Sequence, residues 1–496
     1  MNRLHAARLL AMLLFIAMLT AFAACSGGDA AVDVPAESGG DVGETTDAET
    51  GTTALAPDVP DKTYDGAELV FLHYDGDDKI IRYYSELCSH EANAEVMNDA
   101  VYERTIRLED KYDVVLTEEL KPRNDIRGAI INAVNAGETR WDAIVPPFVD
   151  AANLTVSGAY LVDLNTVPYI DLSKPWWDSR VAGDMSFAGR TYSAIGALNT
   201  WTDSHTYAVV FNKELDKDYS VGTYDLVRDN KWTLDTFEEI ITKVVSDIDG
   251  NGVMDENDRY GACSEYFNFL THMTGCGVNL TAHNDEGIPE YRISQRFYDA
   301  AEKIYGVMRS GGCLFAEDYS SKYSDPWTDV LRKGFRANNA LYYVGGIEQL
   351  IIFRDFETEI GLLPVPKLDE AQEDYSHTFS TWWATITVIP VTSSRLELTG
   401  AMLEAMNADS YYTDAVSYFD VLLQYKAMRD QDSYDMLQII RKTRTMDLEN
   451  AFGFLGARNI YTDALKKRDD SGIASSIASK LDAATAKLNQ TMEIFK

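Results

Sequence analysis

Between Ala67 and Phe148 apolar strands alternate with amphipathic helices, and this alternation restricts the fold more than any other feature of the chain. AELVFLHYDG reads as a strand ending in a polar, aromatic turn. A helix is predicted from Asn93 to Tyr112, with Met97, Val101 and Leu108 near one face, and DVVLTEEL supplies a second strand. Ile126, Ile130 and Val134 mark the next helix, and WDAIVPPF the third strand. This order specifies a parallel sheet with right-handed crossovers, in which ligands bind beyond the carboxyl ends of the strands. Tyr74 and Asp75 follow the first strand, and Phe148 and Asp150 the third, so these four are candidate ligand contacts.

A second block of alternation begins at YAVVFNK. In KWTLDTFEEIITKVV, Thr233 is placed to cap a helix, Asp235 complements its dipole, and Trp232 and Phe237 have the spacing of a hydrophobic staple. NALYYVGGIEQ reads as a strand ending in Gly345 and Gly346, and FETEIGLLPVPK as a strand halted by prolines. WWATITVIPVTSSRLELTGAMLEAM predicts a strand, a capped turn and a helix. From about Ser410 onward the pattern is helical, with Ile473, Ile477, Leu481, Leu488 and Phe495 forming a docking face on the last helix.

The predicted helix after Thr233 runs straight into DIDGNGVMDEND. Counting from Asp247, side-chain oxygens fall at positions one (Asp247), three (Asp249), five (Asn251), nine (Asp255) and twelve (Asp258), with Gly252 at six and the Val253 carbonyl at seven. A hard cation needs six to eight oxygens around one point, and this spacing supplies a calcium site. Asp258 is shorter than the Glu usual at position twelve, which implies moderate affinity. RYGAC follows at once, leaving no exiting helix and no paired second loop. The ion is therefore expected to staple a connection, not to switch it.

The N-terminus places Arg3 and Arg8 before an apolar run from Leu9 to Ala24 and then Cys25, the layout of a signal peptide over residues 1–24. FAAC resembles the lipobox of bacterial lipoproteins, which implies a lipid on Cys25 and a place on the extracellular face of the cell membrane. Phe22 stands where Leu is usual. Residues 25–62 contain no aromatic side chain and many acids, so they read as a disordered acidic tether.

With 79 acidic against 44 basic residues the net charge is −35, which argues against nucleic acid and against adhesion to anionic lipid by charge. Cys88, Cys263, Cys276 and Cys313 contain no Cys-x-x-Cys spacing that would favour zinc or redox chemistry; free thiols and a disulfide both remain open. The sequence has no Gly-x-Ser-x-Gly elbow, no His-Glu-x-x-His and no phosphate-binding glycine loop.

YAVVFNKEL, KWTLDTFEEI with its downstream loop, NALYYVGGIEQ, EIGLLPVPK and VIPVTSSRLELTGAMLEAM together resemble, in order, the family 1 extracellular solute-binding proteins of bacterial ABC importers. The resemblance implies an α/β, periplasmic-binding-protein-like (type II) fold: two α/β lobes, a hinge and an interlobe cleft. By that template residues 63–208 plus 366–410 form the N-terminal lobe, and 209–365 plus 411–496 the C-terminal lobe. It also implies a monomer that delivers a small molecule to the transmembrane subunits of an ABC permease. A sugar needs aromatic platforms beside groups that both donate and accept hydrogen bonds. The candidates are Trp176 and Trp177 in SKPWWDSR, Trp201, Asp203 and His205 before the crossing strand, Trp382 and Trp383 on the return, and Gly346 and Glu348. A cell-surface glycan-active hydrolase, or a binding protein feeding a sensor kinase, would use similar residues.

Overall fold

The computed structural model describes residues 55–76, 84–419 and 430–495. The predicted signal segment, Cys25 and the tether as far as residue 54 lie outside them. The Leu55 amide donates to Tyr412 Oη at 2.9 Å, and Lys62 reaches Glu397 at 2.8 Å. Residues 55–62 thus lie along the helix Leu396–Tyr412, a departure from a tether disordered to residue 62.

The first sheet has the order β2-β1-β3, with β1 (Ala67–Asp75) paired in parallel to both β2 (Val114–Pro122) and β3 (Ala143–Val145). The predicted strand–helix alternation is therefore realised, with helices at Val96–Tyr112 and Ile126–Asn135. The second sheet is mixed. Its strands are β4 (Tyr207–Asn212), β5 (Tyr260–Ser264), β8 (Cys313–Phe315), β9 (Ala340–Gly346) and β10 (Ile360–Leu363), in the order β10-β4-β9-β5-β8. β5 runs parallel to β8 and β9, while β4 is antiparallel to β9 and β10. A small hairpin joins β6 (Thr281–His283) and β7 (Pro289–Tyr291).

Several local readings are reproduced in detail. Thr233 accepts the Thr236 amide at the start of helix Leu234–Lys243, and the Trp232 and Phe237 rings meet edge-on at 5.7 Å. Ile473, Ile477, Leu488 and Phe495 are buried. Two readings change. The segment after Trp382 is not a regular strand; only isolated bridges, such as Ile144 to Val388 and Pro147 to Thr385, tie it to the first sheet region. The C-terminal region is broken into helices at Gln431–Lys442, Leu448–Phe452, Ala457–Lys467 and Ile473–Ile494, with Gly453 and Gly456 in left-handed conformations at the breaks. All four cysteines beyond residue 54 are free thiols. Among the described residues no helix is long and apolar enough to cross a membrane.

Three segments lie side by side where the chain passes between the sheets. Tyr207 N donates to the Thr378 carbonyl and Ser380 N to that of His205, both at 2.9 Å; His377 N donates to Thr443 O at 3.0 Å, and Thr445 N to His377 O at 2.8 Å. The buried His377 ring fastens this arrangement. Its Nε2 accepts the Val365 amide at 3.1 Å, so the proton sits on Nδ1 and donates to Thr443 Oγ1 at 2.7 Å. Thr443 in turn donates to the Ile439 carbonyl. Burial lowers the His377 pKa from 6.5 to about 3.

Because the unfolded chain takes up a proton near pH 6.5 that folded His377 refuses, stability from this residue is present above that pH and lost as pH falls toward 3. Between pH 7 and pH 5 the loss is about 2 kcal/mol. Urea unfolding of wild type and His377→Asn at the two pH values should show a pH-dependent drop smaller by this amount in the variant.

Candidate functional site

The carboxyl ends of β5, β8 and β9 open into a cleft of about 610 Å³. Glu265 and Phe267 follow β5, Asp325 and Trp327 follow β8, and Gly345, Gly346, Glu348 and Gln349 end β9 or follow it. The opposite wall is Ser380 to Trp383, with His205 and Tyr207 at the crossing and Arg332 and Arg458 contributing cations. The location obeys the rule for parallel strands that is visible in the sequence.

Two indoles present open faces. Trp382 is 46% exposed and Trp327 39%, unusual for the largest apolar side chain. Trp382 is held from behind: the Arg123 guanidinium lies 3.7 Å from its ring centroid and donates to its carbonyl from Nε at 3.1 Å and Nη2 at 2.8 Å. Trp327 Nε1 donates to Glu265 Oε2 at 3.1 Å. Burial pushes the Glu265 carboxyl above the usual carboxylate range, opposed by the Trp327 indole, Arg458 and Arg332. At Gly346 a Cβ would fall 1.9 Å from Glu348 Oε2, so the absent side chain leaves room for the carboxylate in the position it takes here.

Five of the sequence candidates meet in this cleft: His205, Gly346, Glu348, Trp382 and Trp383. Trp382 and Trp383 share it because residues 381–383 form a turn, which removes the alternation that a strand would impose. The other candidates lie elsewhere. Tyr74 is buried and supports the site indirectly, donating its hydroxyl to the Trp383 carbonyl at 2.7 Å. Asp75 is exposed at the end of β1. Phe148 packs edge-on against Phe379 at 5.0 Å, and buried Asp150 faces Arg127 at 3.6 Å. Trp176 and Trp177 are buried in the core, their indoles donating to the two oxygens of Glu404 at 2.9 and 2.8 Å. Trp201 packs on His73 and Tyr74, and Asp203 binds Arg444 at 2.7 Å. The underlying reason is shared: a tryptophan pair with a buried carboxylate between its N–H groups is satisfied in the core and has no need of a ligand.

Glu265, Phe267, Trp327, Arg332 and Arg458 were not among the sequence candidates. EYFNF, which follows β5 directly, is open to the same carboxyl-end argument that selects Tyr74. Arg458, far along the chain in a helix, carries no local signal.

Away from the cleft, the Asp247–Asp258 loop folds around its own carboxylates. One oxygen from each of Asp247, Asp249 and Asp258 comes within 4.8 Å of the others. Asp247 accepts the amides of Gly250 and Gly252, both at 2.7 Å, and Asp258, fully buried, accepts those of Ile248 and Asp255. Gly250 and Gly252 have φ of +71° and +80°, the turn that brings the acids together. Asp255 is not in this close group, and its Oδ1 accepts from Asn257. Three converging carboxylates are the donor chemistry a hard cation takes.

A family model described as bacterial extracellular solute-binding protein matches residues 107–433. The chain belongs to this family. No curated protein matches the chain. Solved structures that it resembles include an ABC substrate-binding protein from Listeria monocytogenes in complex with cycloalternan (14% identity, 86% of this chain and 100% of that one, TM-score 0.54). UspC of M. tuberculosis (14%, 84% and 100%, 0.55) and a cyclic α-maltosyl-1,6-maltose binding protein from Arthrobacter globiformis (12%, 86% and 99%, 0.54) are similar to the same extent. At such identities the likeness is one of fold, and the solute-binding protein has the α/β architecture expected from its sequence.

The two kinds of tryptophan should separate by mutation. Trp176→Ala removes a buried side chain and strands Glu404, and should lower unfolding free energy by about 3–5 kcal/mol. Trp382→Ala, at an exposed position, should change it by less than about 1 kcal/mol. Denaturant titration of both variants measures the difference.

Proposed function

We propose that this solute-binding protein captures a carbohydrate, a mono- or oligosaccharide, and delivers it to the transmembrane subunits of an ABC importer. The supporting observation is the pair of open indole faces, Trp382 and Trp327, set among Glu265, Asp325, Glu348, Arg332 and Arg458 in one cleft. Flat aromatic faces suit the C–H surfaces of a sugar ring, and the surrounding charged groups suit its hydroxyls. Two of the similar structures are named for cyclic oligosaccharides, which favours the same class here. A lipid on Cys25 would hold the protein at the outer face of the membrane, with the following residues as its tether.

A hydrolase reading draws on the same carboxylates, one of them shifted upward as a general acid requires. A panel of mono- and oligosaccharides, monitored by tryptophan fluorescence and product analysis, separates the two. Binding should alter emission without forming product, and Trp382→Ala and Trp327→Ala should each weaken it about tenfold or more. Release of shorter sugars would overturn the receptor reading.

Calcium is the second component of the proposal, held by Asp247, Asp249, Asn251, the Val253 carbonyl, Asp255 and Asp258. Its role is to offset the repulsion of the converging acids and fix the connection between helix Leu234–Lys243 and β5. At a calcium concentration 100 times Kd the gain is about 2.7 kcal/mol. Chelation should lower Tm in wild type but not in Asp249→Asn, whose side chain is exposed; identical melting with and without chelator would reduce the loop to a turn.

A further inference from the structure

The SKPWWDSR segment lies outside the sugar cleft, yet it borders a second cavity of about 470 Å³. One wall is the loop and helix carrying Trp177, Asp178 and Arg180. The other is the last turns of helix Gln431–Lys442, where Gln438, Arg441 and Lys442 recur at three- and four-residue steps and so share a face. Arg444, just beyond, is consumed by Asp178 at 2.8 Å and Asp203 at 2.7 Å.

The remaining cations have no such close partner, and Asp203, already bound to Arg444, acts on Arg441 only at longer range. Arg180, Arg441 and Lys442 enter no ion pair among the described residues. Arg441 is partly buried, with its guanidinium stacked 3.6 Å from the Phe419 ring centroid, which satisfies one face of the plane and leaves its N–H groups unanswered. Gln438 Nε2 is a buried donor without an acceptor. In a chain of net charge −35, acids were abundant enough to pair these groups, as they pair Arg444. A partly buried guanidinium and a buried amide nitrogen left without acceptors are costly unless something outside the chain supplies them. The helix C-terminus opposes an anion by about half a charge, less than the three unpaired cations supply.

We propose that this cavity is a binding site for a small oxyanion, of the phosphate or dicarboxylate class, held by Arg441 and Gln438 and flanked by Arg180 and Lys442. The planar fork of Arg441 matches two oxygens of such an anion, and Gln438 supplies a further donor. Because its walls come from the 175–180 segment and from the helix that leads to Thr443, the bound anion would bridge two parts of the chain that meet at the crossing. The site is independent of the saccharide reading.

Isothermal titration with inorganic phosphate, and separately with malonate, in buffer matched in ionic strength with sodium chloride, tests it. Saturable binding of either anion is expected, weakened about tenfold or more in Arg441→Gln. The double variant Arg180→Gln/Lys442→Gln changes only exposed side chains and should also weaken it, so the test survives if Arg441→Gln fails to fold. Heats no larger than those of sodium chloride for both anions, or unaltered affinity in the double variant and in any Arg441→Gln protein that folds, would overturn the proposal.

Discussion

Hydrogen bonds between the crossing segments are the constraint on which the rest of the molecule depends. Residues 205–207 and 377–380 carry the chain between the two sheets, and they are bonded to each other and, through His377, to residues 443–445. Backbone that passes between two packed regions must find partners for its amides, and here each segment supplies the others. His377 closes the set because a neutral imidazole donates on one side and accepts on the other, which neither a lysine nor a carboxylate can do. The cleft wall from Ser380 to Trp383 follows immediately, so the position of its indoles is fixed by these bonds.

The cleft is built by support from behind. Arg123 stacks on one face of Trp382 while bonding its carbonyl, and Tyr74 bonds the carbonyl of Trp383. The Trp382 indole could not be held open by apolar packing alone, since burial would drive the ring inward. A cation on one face leaves the other for a ligand. The carboxylates opposite are likewise restrained, Glu265 by the Trp327 indole and by two arginines.

How far the sequence revealed this site depends on the range of the interaction concerned. The parallel β1–β3 unit, the capped helix after Thr233 and the acidic loop that follows it were legible because each is decided by residues a few positions apart. Trp176 and Trp177 are candidate platforms by sequence because a sugar site needs aromatic faces; Glu404, more than two hundred residues away, takes both indole N–H groups in the core. In a regular strand Trp382 and Trp383 would point to opposite faces, and they converge on the cleft because residues 381–383 form a turn. Glu265 was within reach of the carboxyl-end rule, whereas Arg458 joins the cleft only through the packing of a distant helix.

Periodicity, turn residues and ligand spacing by themselves determined the strands, the helices and the candidate metal loop, because local hydrogen bonding and the burial of one face depend on neighbours in sequence. Which aromatic side chains face the cleft, and which cations go without a carboxylate, only the tertiary structure decided. Those outcomes rest on partners that the chain brings together from hundreds of residues apart, and a tryptophan or an arginine has the same local signature whether its partner is the protein or a ligand.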